Sequence, residues 1–113
     1  MRKIKTIDDI TKDGKVEFGE GYEFVSTAEE ADAILMRSTD LHGYELPEGI
    51  RAIARCGAGV NNIPLSDCAE AGVVVFNTPG ANANSVMELA LCGMLLSSRD
   101  VVGGINWVQT VKD

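Results

Sequence analysis

Three short stretches of this chain carry residue types that hold anions: Arg37-Ser38, Gly57-Ala58-Gly59-Val60-Asn61, and Thr78-Pro79-Gly80-Ala81-Asn82-Ala83-Asn84. Their donors differ in kind. Arginine presents a planar fork that pairs bidentately with carboxylate or phosphate oxygens, serine a hydroxyl, a glycine-rich turn a run of backbone N–H groups, and asparagine a side-chain amide. Gly57 and Gly59, within RCGAGVNNIP (55–64), have the G-x-G spacing of a dinucleotide loop. That fingerprint needs a third glycine three positions further on, so that the opening helix can pack on its strand, and position 62 is asparagine. None of the three stretches holds an acid, and the single histidine, His42, lies in a poorly patterned segment. A general acid or base is therefore not evident, and no catalytic residue is assigned. Taken singly, the stretches also fit plainer roles as a surface arginine, a turn and turn-favouring asparagines. Their convergence depends on the elements that carry them.

Those elements are short β-rich segments: KIKTI (3–7), YEFVS (22–26), AILM (33–36), AIARC (52–56) and VVVFN (73–77). Between most of them lie helix-compatible stretches such as LSDCAEAG (65–72), or polar connectors with Gly and Pro. Such alternation predicts an α/β fold with a parallel sheet covered by helices. In a parallel sheet every strand points the same way, so the residues just past each strand collect along one edge, where open α/β folds bind ligands. Arg37-Ser38 leave the third strand, the Gly57 loop the fourth, and the Thr78–Asn84 stretch the fifth. The expected product is a mouth suited to carboxylate or phosphate. Residues 37–51, with Gly43, Pro47 and Gly49, have room only for a short helix.

A helix is expected from about Asn84, because Ser85 and Glu88 stand three apart as in a capping box, and it would add its positive dipole end to the mouth. The following VMELALCGMLLSS is apolar on almost every side. It reads either as a central core helix or as a surface made to meet another domain or subunit. After Arg99, the stretch DVVGGINWVQTVKD can be helical, with Trp107 as a packing residue, and the chain ends there without a turn or cap, as if cut.

At 113 residues and a net charge of -7, the chain is sized for one domain, and its acidity argues against nucleic-acid or anionic-membrane partners. Cys56, Cys68 and Cys92 are an odd number without C-x-x-C spacing, and His42 cannot complete a metal set with them. Reduced thiols, no metal and a cytoplasmic, soluble protein are the expectation. MRKIKTIDDI is too polar for a signal peptide.

MRS (36–38), RCGAGVNNI (55–63), AGVVVFNTPGANANSVMELA (71–90) and LLSSRD (95–100) closely resemble the N-terminal part of the D-3-phosphoglycerate dehydrogenases, within the D-isomer-specific 2-hydroxyacid dehydrogenase family. The most specific portion is the ordered pair R-x-G-x-G-V and N-T-P-G-x-N-x-x-S-V-x-E. The resemblance implies a flavodoxin-like, three-layer substrate domain over 1–98 with a five-stranded parallel sheet of order 2-1-3-4-5. It also implies, over 99–113, the start of a crossover helix toward an NAD-binding Rossmann domain of the same polypeptide. It implies that Gly57, Ala58, Gly59 and Val60 hold the substrate carboxylate through backbone N–H groups. By the same matching Arg37 and Ser38 meet the phosphate end, Asn82 faces the reacting centre, and Ala58 touches the edge of the NAD cofactor. The parent enzyme would interconvert 3-phosphoglycerate and 3-phosphohydroxypyruvate at the entry to serine biosynthesis. The family's catalytic histidine, glutamate and arginine lie later than residue 113, so this chain alone is expected neither to bind NAD nor to turn over substrate. An apolar patch left by the family's returning helix would invite homo-oligomers. Many relatives carry aspartate where this chain has Asn61 and Pro64, and Leu41–Gly49 matches nothing diagnostic.

Two other readings stand beside this one. A signalling receiver domain shares the five-stranded architecture and an acidic pair after strand one, here Asp8-Asp9, but it needs an aspartate after strand three and a lysine after strand five, where this chain has Arg37 and Thr78. A dehydrogenase for another 2-hydroxy acid, or a non-catalytic module binding a small anion, is the remaining alternative.

Overall fold

A computed structural model describes residues 1–10 and 18–112. Five strands, β1 (Arg2–Thr6), β2 (Tyr22–Phe24), β3 (Ala33–Met36), β4 (Ala52–Arg55) and β5 (Val74–Phe76), form one sheet of order β2-β1-β3-β4-β5. All four pairings are parallel, with Ile4 opposite Ala33, Met36 opposite Arg55, and Ile53 opposite Val75. The α/β class and strand order are those expected. No helix forms among residues 37–51, where turns carry the chain.

Two compact units compose the chain, Met1–Pro79 and Gly80–Asp113. In the first, β-branched and long apolar side chains on β3 and β4 make the centre of the core: Ile34, Met36 and Ile53 are essentially inaccessible. Leu41, Ile50, Ile63, Cys68 and Val73 close it from the loops and from α1 (Leu65–Glu70). Each fully buried aliphatic side chain contributes about 1.5–3 kcal/mol relative to exposure. α1 ends in a Schellman turn, with Val73 N–H donating to Cys68 O at 2.8 Å and Gly72 N–H to Ala69 O at 3.2 Å. Gly72 is left-handed there (φ 72°), a conformation that suits glycine because it carries no Cβ. The turn delivers the chain straight into β5.

The second unit consists of α2 (Ala83–Arg99) and α3 (Val101–Thr110), broken at Asp100, whose φ of 45° is left-handed. Asp100 Oδ1 then accepts from Gly103 N–H at 3.2 Å, capping α3, and the carboxylate occupies the space that a Cβ at Gly103 would need. Three expectations are corrected here. α2 starts at Ala83 with Asn82 as N-cap, so Ser85 falls inside the first turn and no side-chain cap forms; Glu88 instead accepts from Asn84 Nδ2 at 3.0 Å. No residue of α2 is buried, because the sheet unit closes its core with its own loops and α1, so α2 is not a central core helix. Trp107, expected to pack, is 65% exposed on α3. No helix among the described residues is long and apolar enough to cross a membrane.

Candidate functional site

The exits of β1, β3, β4 and β5 meet at the carboxyl edge of the sheet, and their polar groups divide the work unevenly. Asp8, just past β1, reaches the exit of β3, which pairs beside it. Its Oδ2 accepts from the backbone N–H of Arg37 at 2.5 Å, Ser38 at 2.9 Å and Thr39 at 3.3 Å, and its Oδ1 from the Thr39 hydroxyl at 2.7 Å. Three successive amides converging on one anion form a nest. Partial burial pushes the Asp8 carboxyl up, but the Arg37 amide, the Thr39 hydroxyl and the amides of Ser38 and Thr39 together outweigh it and hold it below its ordinary value.

The carbonyls of the same loop are occupied from the other side. Arg55 Nε donates to Arg37 O at 2.9 Å, and Asn62 Nδ2 donates to Thr39 O at 2.9 Å and Arg37 O at 3.4 Å. Arg55 Nη1 also donates to Gly59 O, so one guanidinium ties the β3 exit to the β4 exit. The glycines make room for it. A Cβ at Gly57 would stand 3.2 Å from Arg55 Cζ and Nη1, and one at Gly59 would stand 3.2 Å from Arg55 Nη1 and from Asn61 Oδ1. Further bonds run from Asn77 Nδ2 to Ala58 O (2.8 Å) and from Thr78 N–H to Gly57 O (3.0 Å), joining the β5 exit to the same loop.

The outcome for the β4 exit loop is asymmetric. The carbonyls of Arg55, Gly57, Ala58, Gly59 and Val60 all accept hydrogen bonds. Among the described residues nothing accepts from the N–H groups of Ala58, Gly59 or Val60. Ala58 and Gly59 are exposed, so these donors face water. The Arg37 guanidinium and the Ser38 hydroxyl are likewise exposed, and no described residue bonds or pairs with them.

Arg37, Ser38, Gly57, Ala58, Gly59 and Val60 are thus brought to one rim, within the span of the single Arg55 side chain. Asn82 belongs to the second unit, as the N-cap of α2. Sequence reasoning missed Asp8, Arg55 and Asn62 as builders of the rim. It looked for acids past strands three to five, whereas the acid comes from β1; the strand order, which seats β1 against β3, was the signal available. His42 is exposed, with Nδ1 2.6 Å and N–H 3.0 Å from Asp40 Oδ1, a local pair within one turn. No group of three or more His, Cys, Asp or Glu among the described residues could hold a metal ion.

The strand exits of this open parallel sheet thus gather backbone donors that no described residue accepts from, a guanidinium and a hydroxyl, at the edge where open α/β folds hold ligands. The profile of the D-isomer specific 2-hydroxyacid dehydrogenase catalytic domain matches residues 4–110, and the chain belongs to that family. It is 37% identical over 82 residues to a hydroxypyruvate reductase of Thermotoga maritima, covering 70% of this chain and 27% of that protein. It is 32% identical over 104 residues to the D-3-phosphoglycerate dehydrogenase of Methanocaldococcus jannaschii, covering 87% of this chain and 19% of that protein. The crystal structure of NAD+-bound 3-phosphoglycerate dehydrogenase from Entamoeba histolytica superposes with a TM-score of 0.64 at 27% identity, over 84% of this chain and 38% of that one. The chain therefore spans well under half the length of these relatives. Membership of the family removes the receiver-domain alternative.

Proposed function

We propose that this chain is the substrate-binding domain of an NAD-dependent D-3-phosphoglycerate dehydrogenase, interconverting 3-phosphoglycerate and 3-phosphohydroxypyruvate on the route to serine. The observation that carries the reading is the row of N–H groups at Ala58, Gly59 and Val60 that no described residue accepts from, beside an Arg37 guanidinium that no described residue pairs with. A planar carboxylate suits the backbone row, and a tetrahedral, doubly charged phosphate suits the guanidinium and the Ser38 hydroxyl.

NAD, as hydride acceptor, supplies the redox chemistry, and the residues described here do not make a cradle for it. The G-x-G at 57 and 59 is roofed by Arg55, and no third glycine follows. At most Ala58 touches the cofactor edge. What these residues contribute is orientation: they hold the two charged ends of the substrate so that the carbon between them is presented in one pose. The working protein is cytoplasmic in this reading, and the exposed apolar side chains of α2 and α3 meet the cofactor domain or a second subunit.

A second reading, a dehydrogenase for an unphosphorylated 2-hydroxy acid, is favoured by the similarity to hydroxypyruvate reductase and by the negative charge of Asp8 beside Arg37. Steady-state assay of the full open reading frame with NAD and either 3-phosphoglycerate or D-glycerate decides between them. The proposal expects kcat/KM to favour the phosphorylated substrate by at least about tenfold, the worth of one good charge-assisted contact. Equal or reversed preference moves the assignment to the second reading, and turnover of neither overturns both.

A further inference from the structure

The β3 exit loop spends all three of its amides and two of its three carbonyls within the protein itself. The amides of residues 37–39 close on Asp8, and the carbonyls of Arg37 and Thr39 close on Arg55 and Asn62. The β4 exit loop has the opposite arrangement, with its carbonyls engaged and the N–H groups of Ala58, Gly59 and Val60 open among the described residues. Two loops on one rim therefore present donors of different kinds: side-chain groups at the β3 exit and backbone N–H groups at the β4 exit.

We propose that Asp8 is a positioning residue for substrate recognition: by filling the amide nest at residues 37–39 it fixes the loop so that only the Arg37 guanidinium and the Ser38 hydroxyl meet the distal, phosphorylated end of the substrate. This rests on the functional reading above. An anion of its own in the nest has two consequences of opposite sign. It orders the loop, which spares the ligand that entropic cost, and it places a like charge near the phosphate, which opposes binding. The geometry favours the first effect, because four hydrogen bonds on one carboxylate fix three consecutive residues, whereas the Asp8 charge is spread over those donors.

The opposite signs make the test decisive. Asp8→Ala and Asp8→Asn are compared with Asp9→Asn, an exposed neighbour that changes the same charge. In the enzyme encoded by the full reading frame, Asp8→Ala is expected to raise KM for 3-phosphoglycerate about tenfold, with kcat and the KM for D-glycerate changed less than about twofold. Asp8→Asn keeps one acceptor and falls between, and Asp9→Asn matches the parent. A lowered KM for 3-phosphoglycerate in Asp8→Ala would mean that charge repulsion dominates, and an equal rise for both substrates would mean a purely structural role; either overturns the proposal. Amide NMR of the 113-residue chain separates this from failure of the functional reading. Asp8→Ala should move the Arg37, Ser38 and Thr39 amide resonances upfield together, leaving Ala58–Val60 in place. If the parent enzyme used neither substrate, the functional reading would fall while the nest stood; unmoved 37–39 resonances would remove the nest itself.

Discussion

Asn62→Asp replaces the one amide that clamps the β3 exit loop with an isosteric acid. Asn62 is 9% exposed; its Nδ2 donates to Thr39 O at 2.9 Å and Arg37 O at 3.4 Å, while its Oδ1 is buried without a partner. A carboxylate there would face two carbonyl oxygens, so the folded state must keep the acid protonated or break the clamp. Holding an aspartic acid of ordinary pKa near 3.9 protonated at pH 7 costs at most about 4 kcal/mol, from roughly 1.4 kcal/mol per pH unit over about three units. Below about pH 4 that cost vanishes. The protonated acid can still donate to Thr39 O, leaving a residual loss of about 1 kcal/mol for the second bond. The sign follows from the folded pKa lying above the unfolded one: the variant approaches the parent at low pH and falls away as pH rises through the raised folded value. Urea unfolding of both proteins by far-ultraviolet circular dichroism, at about pH 4 and pH 7, measures the difference directly, and Asp8 is common to both and cancels. A stability difference that is equal at the two pH values would refute the clamp, because it would mean that residue 62 is open to water.

Gly59→Ala puts a Cβ 3.2 Å from Arg55 Nη1 and should displace the guanidinium from Gly59 O and Arg37 O, costing about 1–2 kcal/mol in the same unfolding assay; unchanged or improved stability would count against the guanidinium roof. The Asp8 carboxyl is held below its ordinary value, so its stabilisation is complete above the unfolded pKa and is lost as pH falls through the lowered folded one. Acid unfolding of Asp8→Asn should lack that component, and profiles that superpose would disprove it. For the thiols, exposed Cys92 should react with an aromatic disulfide first and half-buried Cys56 later. Cys68, raised by burial and then by the Asp67 charge, should react only on unfolding; rapid native labelling of Cys68 would show that the core is open.

How far the sequence reveals this structure depends on the range of the interaction concerned. The strands were legible because Ile34, Met36, Ile53 and their neighbours combine β propensity with short apolar runs between turn residues, and the ends of four observed strands lie within a residue of those expected, while β2 stops two residues short at Phe24. Only as a resemblance was the strand order available, since propensity carries no information on which strands pair. The α2 cap failed for a local reason: Ser85 and Glu88 have the right spacing, but the chain enters the helix earlier, at Ala83, which the stretch Thr78–Asn82 sets rather than the box. Arg37, Ser38 and the Gly57–Val60 loop were legible as a rim because strand exits of a parallel sheet must share an edge. Asp8, Arg55 and Asn62 were not, since each acts across 18 to 31 residues of sequence or around a turn whose shape only the folded loops define.

The contrast between the two exit loops has an energetic logic that a motif cannot carry. An N–H group left open at the surface costs little in the free protein, because water accepts from it, and a carboxylate replaces that water with a charge-assisted bond. Ala58 and Gly59 are placed for this exchange, and the loop holds still for it because its carbonyls are tied to Arg55, Asn77 and Thr78. At the β3 exit the balance is reversed. Filling the nest with Asp8 spends those donors within the protein, but it leaves Arg37 on a loop whose backbone is fixed on both sides, so that ordering the loop is completed in folding rather than charged to binding. A side chain that long still loses rotamer freedom when it engages a ligand, and only an anion of high charge compensates for that loss. On this ground the proposed function assigns selection of a strongly charged distal group to the 37–39 loop and the less selective binding of a carboxylate to the 58–60 loop.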